Sequence, residues 1–278
     1  MSDPIACTPR FLPPHQQAAA AACAVANNPA NTPPLGVAMA VTALVGGDSP
    51  HPAPPEHLAV LVSRYWGSGG VRLTVGFLEQ VGDDLAERIL THANAWGQFC
   101  NVLFTRGNGA EAQVRITLRG EGYWSYLGTD VLSIPPNEPT MCLQDFGMRT
   151  PESEYRRVVR HEFGHTLGFP HEHMRRELVA RLDRRKTTSY FRRTQGWSAA
   201  MVQQQILTPL EERSIMGTTR ADATSIMAYS IPSACLKPGQ PPIPGGADID
   251  PVDQEFAGRL YPLPGGAMPP PPIMAPVE

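Results

Sequence analysis

The alternation of apolar and polar residues predicts strands and helices in turn through the first half of the chain. Residues 71–77 alternate apolar with other side chains and are rich in β-branched ones, which predicts a strand. Asp83 opens a segment to about Phe99 whose apolar residues recur at helical spacing: Leu85, Ile89, Ala93 and Ala95 or Trp96. Residues 101–105 and 113–118 predict two more strands, joined by a turn at 107–109. A strand–helix–strand order with a long crossover favours a parallel sheet.

The same patterns continue to the middle of the chain. Residues 122–128 alternate aromatic with small side chains, which predicts a short strand at the edge of the sheet. Residues 140–143 predict a further strand. A helix is expected from Glu152 to Leu167, because Thr150-Pro151-Glu152 is a typical helix start and apolar residues recur after it.

The segments that follow predict a mainly helical or irregular C-terminal part. Residues 174–186 carry a run of arginines, which is typical of a solvated helix face. Ser198 opens a helix to Leu207, and Asp250 caps a last helix from Val252 to Leu260. The fold class expected is α/β (α+β): a twisted, mostly parallel sheet with an antiparallel edge strand, followed by this subdomain.

Proline marks the two ends of the chain as different from its centre. Residues 1–55 are rich in alanine and proline, with a short helix predicted at 15–27. This stretch is either a pro-segment lying over the domain or a partly ordered extension. We assign residues 56–262 to one domain, approached by a helical segment at 56–63. Residues 263–278 are expected to form a proline-rich disordered tail.

The composition limits which binding partners and which cellular compartment are expected. The 278 residues carry a net charge of -3, which argues against nucleic acid as the main partner. No apolar run is long enough for a membrane span, and the N-terminus lacks the pattern of a secretory signal. Five cysteines without close pairing do not resemble a disulfide framework. We therefore expect a monomer that is cytoplasmic or exported by a non-classical route, without a membrane partner.

The candidate metal-binding residues lie in residues 161–171, which have the motif H-E-x-x-H-x-x-G-x-x-H. On a helix, His161 and His165 lie one turn apart, so both imidazoles can bind the same metal ion. Gly168 can adopt a positive φ and end the helix, which turns His171 back toward the ion. Glu162 is placed to hold a water molecule on it. Three neutral imidazoles leave one position of a tetrahedral zinc ion open, as in catalytic sites.

The absence of a carboxylate ligand in this motif favours Zn²⁺ over the iron of two-histidine, one-carboxylate sites. The alternative is an amphipathic helix with two surface histidines, and the added glycine and third histidine argue against it. A second signal lies downstream, where residues 225–229 read S-I-M-A-Y. On its own, this short apolar run would be interpreted as part of the hydrophobic core.

Together the two motifs resemble the metzincin zinc endopeptidases, and among them the astacin family. Astacins combine H-E-x-x-H-x-x-G-F-x-H-E with a Met-turn of the form S-I-M-x-Y, and this chain matches both, including Phe169, Glu172 and Tyr229. Residues 122–128 also resemble the astacin segment G-x-W-S-Y-x-G. The resemblance covers roughly residues 60–262.

The resemblance implies a zinc metalloendopeptidase that cleaves protein or peptide substrates with one zinc-bound water. Glu162 would be the general base, and Tyr229 a zinc ligand that swings away to stabilise the transition state. Met227 would lie beneath the histidines, and Glu172 would contact the mature N-terminus. An extended substrate would pair with the edge strand, which carries Trp124, Ser125 and Tyr126.

The chain departs from the family in its cysteines. Astacins usually carry two disulfides, and Tyr123 stands where one of their cysteines is expected, so we expect no such pairing. A pro-segment could instead block the zinc through Cys7, Cys23 or Asp48. We expect His57 and His92 at the surface, and His173 beside the ligands or exposed.

Two other functions are compatible with the sequence. One is a catalytically silent or latent zinc domain that binds extended peptides, although a purely structural site would not need Glu162. The other is a different metal hydrolase, such as an amidase, on a similar scaffold.

Overall fold

A computed structural model describes residues 7–8, 10, 12–31, 64–210 and 221–265. The predicted approach at 56–63, His57, Asp48 and most of the tail lie outside these ranges. Five strands form one sheet in the order β2-β1-β3-β5-β4. The strands are β1 (Val71–Phe77), β2 (Val102–Arg106), β3 (Val114–Thr117), β4 (Tyr123–Ser125) and β5 (Met141–Leu143).

Only β4 is antiparallel, pairing with β5 at the edge of the sheet. The other pairs are parallel, with Val71 opposite Val102 and Val75 opposite Val114. The predicted fold class is therefore confirmed. The predicted turn at 107–109 connects β2 to β3 along the chain, and β1 lies between these two strands in the sheet.

Helices cover the sheet and form the C-terminal part. They are α1 (Pro14–Asn27), α2 (Asp83–Ala93), α3 (a helix of Glu152–Glu154, a π turn of Tyr155–Val159 and a helix of Arg160–Thr166), α4 (Arg176–Val179), α5 (Arg184–Gln195), α6 (Ala199–Val202, continued by a π turn at Gln203–Leu207) and α7 (Pro251–Leu260). None of the helices in the described ranges is long and apolar enough to cross a membrane.

Two helix predictions were too long. The helix from Asp83 stops at Ala93, because the Asn94 side chain makes two 2.8 Å hydrogen bonds with the main chain of Phe104 and ties the chain to β2. The basic run at 174–186 is not one solvated helix but the separate α4 and the start of α5. Its first arginine, Arg175, is buried and pairs with Glu172 at 3.3 Å.

Two apolar cores meet at the metal-binding motif. The first lies between the sheet and α2 and α3, and includes Trp96, whose indole N–H donates to the Arg160 carbonyl at 2.9 Å. The second belongs to the C-terminal part and includes Phe191, Ile206 and Ile231. His92 was expected at the surface, but it is buried against Tyr155, with Nε2 3.3 Å from a carboxylate oxygen of Glu152.

Residues 7–8, 10 and 12–31, called the strap below, lie across the domain. Helix α1 packs on the 3-10 helix Gly128–Ser133, and Leu12 and Ala20 are buried against Ile134 and Tyr126. At the far end, the Asn31 side chain donates to the Tyr65 carbonyl at 2.8 Å and accepts from the Tyr65 N–H at 3.2 Å. The strap is therefore attached at both ends by contacts within the folded protein.

Candidate metal centre

The second half of α3 presents His161 and His165 on one face. Their rings meet edge-on with centroids 4.7 Å apart. The helix ends at Gly168, which has φ +95°, and the N–H groups of Gly168 and Phe169 donate to the carbonyls of His165 and Gly164. This is a Schellman ending, for which glycine is suited because it has no Cβ. It turns the chain so that His171 reaches the other two histidines, as predicted.

The three histidines point one nitrogen each at a common centre. Nε2 of His171 lies 3.2 Å from Nε2 of His161 and 3.1 Å from that of His165. Nδ1 of His161 donates to the Ile226 carbonyl at 2.6 Å, and Nδ1 of His165 to the Phe169 carbonyl at 2.7 Å. Since these protons lie on Nδ1, both Nε2 atoms carry free lone pairs. Buried, convergent lone pairs fit a bound zinc ion.

Burial favours the neutral, metal-binding form of these rings. It lowers the pKa of His161 to about 4, and lowers the pKa values of His165 and His171 well below their ordinary value. Metal binding requires neutral imidazole, so the apolar surroundings prepare the site for an ion.

Glu162 lies beside this donor set and is almost completely buried. Its Oε2 accepts from the Cys7 thiol at 3.4 Å, and its Oε1 has no hydrogen-bond partner among the described residues. Burial raises the pKa of Glu162 to about 8. A carboxyl group with a pKa near neutrality can both take up and release a proton.

Cys7 brings a fourth donor atom to the centre. Its Sγ is 3.5 Å from Nε2 of His165, and the donor atoms of Cys7, His161, His165 and His171 all lie within 4.8 Å of one another. Of the two candidate blocking cysteines, both in the described ranges, Cys7 is therefore the one that reaches the site; Asp48 lies outside those ranges. Cys23 lies half-buried on α1, and all five cysteines are free thiols.

The strap next to Cys7 pairs with β4, the predicted substrate edge. The N–H of Thr8 donates to the Tyr123 carbonyl at 2.9 Å, and that of Arg10 to the Ser125 carbonyl at 3.2 Å. The strap runs parallel to β4, and the Arg10 guanidinium lies 3.8 Å from the centre of the Trp124 ring. Trp124 and Ser125 are buried, and Tyr126 is half-buried.

The Met-turn lies under the histidines. A Cβ placed on Gly164 would be 2.5 Å from Sδ of Met227, so only glycine lets this sulfur approach α3 so closely. The N–H of Glu172 donates to the Met227 carbonyl at 2.9 Å, which joins the turn to the His171 loop. Tyr229 lies next to His171, with ring centroids 4.4 Å apart, and its buried hydroxyl has no partner among the described residues.

Asp253 supports the Met-turn from α7 and was missed from the sequence. Its carboxylate accepts from the Ser225 hydroxyl at 2.6 Å and from the Ile226 N–H at 2.8 Å. In the sequence, Asp250 and Asp253 can be identified as a capping pair at the start of α7. That pattern does not show that the Asp253 carboxylate also binds residues of the Met-turn. Glu172 accepts from the Asp222 N–H at 3.0 Å, and burial raises its pKa to about 7.

Comparison with known proteins places the fold and site in a family. No protein-family model matches the sequence. A solved structure of myroilysin is 32% identical, with a TM-score of 0.67, and the alignment covers 73% of this chain and 98% of that one. A crystal structure of myroilysin is 30% identical, with a TM-score of 0.53, covering 72% of this chain and 87% of that one.

A curated relative agrees with these structures. Over 89 residues, 32% of this chain, the sequence is 30% identical to the zinc metalloproteinase nas-27 of Caenorhabditis elegans. The match spans only 19% of that longer protein. The alignment with the first myroilysin structure covers almost all of that protein, and it agrees with the three-histidine motif and the Met-turn. The chain therefore belongs to the astacin family of zinc metalloproteinases.

Proposed function

We propose that the protein is a zinc-dependent metalloendopeptidase held latent by its own N-terminal strap. The observation that carries the proposal is the pairing of the strap with β4 directly beside Glu162. The strap is itself an extended peptide, held on the sheet edge by main-chain hydrogen bonds that any peptide could make. The site therefore suits polypeptide substrates better than the small amides of an amidase.

His161, His165 and His171 hold the zinc ion in this proposal. Bound Zn²⁺ supplies a Lewis acid that polarises the scissile carbonyl and lowers the pKa of the attacking water. Glu162 takes the proton from that water on its free Oε1 and passes it to the leaving amine nitrogen. The Tyr229 hydroxyl, which has no partner among the described residues, donates to the developing oxyanion.

The substrate lies along β4 in place of the strap. Its main chain pairs with Tyr123 and Ser125, and Trp124 and Tyr126 contact its side chains. A cavity of about 280 Å³ beside Glu162, lined also by Arg157 and Tyr190, receives a substrate side chain. We keep residues 56–262 as the peptidase domain, residues 1–55 as a pro-segment that contains the strap, and 263–278 as a tail.

Latency follows from two overlaps in this arrangement. The Cys7 thiol occupies the position next to Glu162 that the attacking water needs, and Cys7, Thr8 and Arg10 occupy the substrate edge. Activation therefore requires the strap to leave. The mature N-terminus would then contact Glu172, as the family resemblance implies.

A silent zinc-binding domain is the second candidate, because Cys7 completes a four-ligand donor set like that of a structural site. Two features favour the peptidase. The fourth donor comes from the strap and not from the peptidase core, and a structural site has no use for a buried carboxyl group beside the ligands.

The experiment compares two full-length variants, Cys7→Ala and Cys7→Ala with Glu162→Gln, with equal zinc content and an unfolded protein as substrate. The first should cleave the substrate in a chelator-sensitive way, and the second should not. If neither cleaves while each holds one zinc ion, a chain lacking residues 1–55 decides: cleavage by it shows that the rest of the strap still covers β4, and no cleavage favours the silent domain. Equal cleavage by both would remove Glu162 from the mechanism.

A further inference from the structure

His173 lies two residues beyond the last histidine of the motif and is completely buried. Its Nε2 is 3.1 Å from the Gln205 carbonyl oxygen, and its Nδ1 is 3.2 Å from the backbone nitrogen of Tyr229. A carbonyl can only accept, so Nε2 carries the proton and Nδ1 accepts the Tyr229 N–H. Both nitrogens are used, so His173 has no lone pair left for the metal.

The His173 ring also sets the plane of the Tyr229 ring. The two rings stack with centroids 4.1 Å apart and an angle of 24°. Tyr229 also meets His171 at 4.4 Å and 60°, and the His171 and His173 rings are themselves 4.8 Å apart. The three rings therefore form one cluster, in which the Tyr229 hydroxyl is left without a partner among the described residues.

The His173 contacts join three segments that are far apart in the sequence. His173 follows the metal-binding loop, Gln205 lies in the π turn Gln203–Leu207, and Tyr229 ends the Met-turn. π turns are uncommon and occur often at functional sites, where they shift the position of a main-chain group. Here the π turn supplies the carbonyl that fixes the tautomer of His173.

We propose that His173 is a positioning residue for the Tyr229 hydroxyl. It fixes the backbone of Tyr229 by a hydrogen bond and its ring by stacking, so that the phenol is directed at the reacting carbonyl without rearrangement. The inference rests on the proposed function, because an oriented hydroxyl matters only if an oxyanion forms there. The competing explanation is that His173 only fills the core.

A double-mutant cycle separates these explanations. The enzyme is the full-length Cys7→Ala variant, with zinc content matched, and the changes are His173→Phe, Tyr229→Phe and both. His173→Phe keeps a ring for stacking and removes both hydrogen bonds. His92→Phe is the matched control, because His92 is another buried histidine packed against a tyrosine, Tyr155, away from the metal centre.

We expect Tyr229→Phe to lower kcat by about 10²-fold, as for loss of one oxyanion donor. His173→Phe should lower kcat by roughly tenfold with KM unchanged, and should have no further effect in the Tyr229→Phe background. His92→Phe should leave kcat unchanged in both backgrounds. Exchange of the Tyr229 amide hydrogen should be faster in His173→Phe even without metal, because its acceptor is gone.

Equal losses from His173→Phe in both backgrounds would show a merely structural role and overturn the proposal. An unchanged kcat in Tyr229→Phe would also overturn it, while leaving the peptidase function to be judged from Glu162→Gln. Should His173→Phe fail to fold, His173→Gln can still bond one partner but cannot stack. His173→Gln must then lower kcat in the enzyme that has Tyr229 and must not lower it further in the Tyr229→Phe background.

Discussion

Removing the Cys7 thiol should activate the uncut protein. In Cys7→Ala, the main-chain hydrogen bonds of Thr8 and Arg10 to β4 remain, as do the contacts of α1 and Asn31. Only the thiol in the donor set is lost. The strap should therefore stay folded on the domain but leave the metal centre much more often.

The size of the effect follows from what one ligand contributes. Zinc sites with four protein ligands have apparent binding free energies of about 10–16 kcal/mol, so one ligand accounts for about 2.5–4 kcal/mol. At 1.4 kcal/mol per factor of ten, loss of the thiol should raise the basal rate by roughly 10²–10³-fold, up to the rate of the open enzyme. Arg10→Ala removes the cation–π contact between Arg10 and Trp124, which contributes about 0.5–1 kcal/mol to holding the strap in place. It should therefore raise the basal rate only roughly two- to fivefold.

The assay is the rate of cleavage of an internally quenched peptide by uncut, zinc-loaded chains, with integrity checked on gels before and after. Cys23→Ala is the control, because Cys23 lies on the strap helix but outside the donor set. Its basal rate should equal that of the parent. The order expected is Cys7→Ala far above Arg10→Ala, and Arg10→Ala slightly above Cys23→Ala and the parent.

Two results would refute this reasoning. One is a Cys7→Ala variant as slow as the parent while both hold one zinc ion, because the thiol would then not control access. The other is activation by Cys23→Ala as large as by Cys7→Ala, which would assign latency to general loosening of the strap.

Three further predictions concern the site and its support. In the Cys7→Ala enzyme, Glu162→Gln should lower kcat by roughly 10²–10⁴-fold with zinc content unchanged in metal analysis, because the proton acceptor is lost while the histidines stay. Gly164→Ala should destabilise the protein by about 1–3 kcal/mol in urea unfolding, because its Cβ meets the Met227 sulfur; unchanged stability would contradict the close packing. Burial raises the pKa of Asp253 to about 7, so the folded chain binds its proton more tightly than the unfolded chain does. The stability that protonated Asp253 contributes is complete below about pH 4 and is lost as the pH rises to about 7, by up to about 1.4 kcal/mol per pH unit. In Asp253→Asn, the free energy of unfolding, measured by denaturation at several pH values, should fall less over this pH range.

The features that depend on local spacing were predictable from the sequence. The one-turn separation of His161 and His165, the chain reversal at Gly168 and the edge strand before the metal-binding helix all follow from residues close together in the chain. Such features need only a helical period, a glycine with positive φ or an alternating pattern. The sequence motif therefore indicated the three histidines of the donor set before any tertiary contact was known.

Features that depend on distant contacts were not predictable. Cys7 and His165 are 158 positions apart, and nothing near Cys7 distinguishes it from Cys23 as a partner for the metal centre. The break after α2 depends on Asn94 binding Phe104, and the burial of His92 depends on Tyr155 and Glu152. The order of the strands could not be predicted for the same reason, because the pairing of β1 with both β2 and β3 produces no periodic pattern in the sequence.

The central claim is that one zinc ion is held by three imidazoles and by the thiol of the strap. X-ray absorption at the zinc edge on the uncut, full-length protein tests it most directly, with Cys7→Ala measured beside it. The account predicts one sulfur neighbour at about 2.3 Å and three nitrogen neighbours at about 2.0 Å, with the sulfur absent in Cys7→Ala. A parent spectrum with only nitrogen and oxygen neighbours would contradict it.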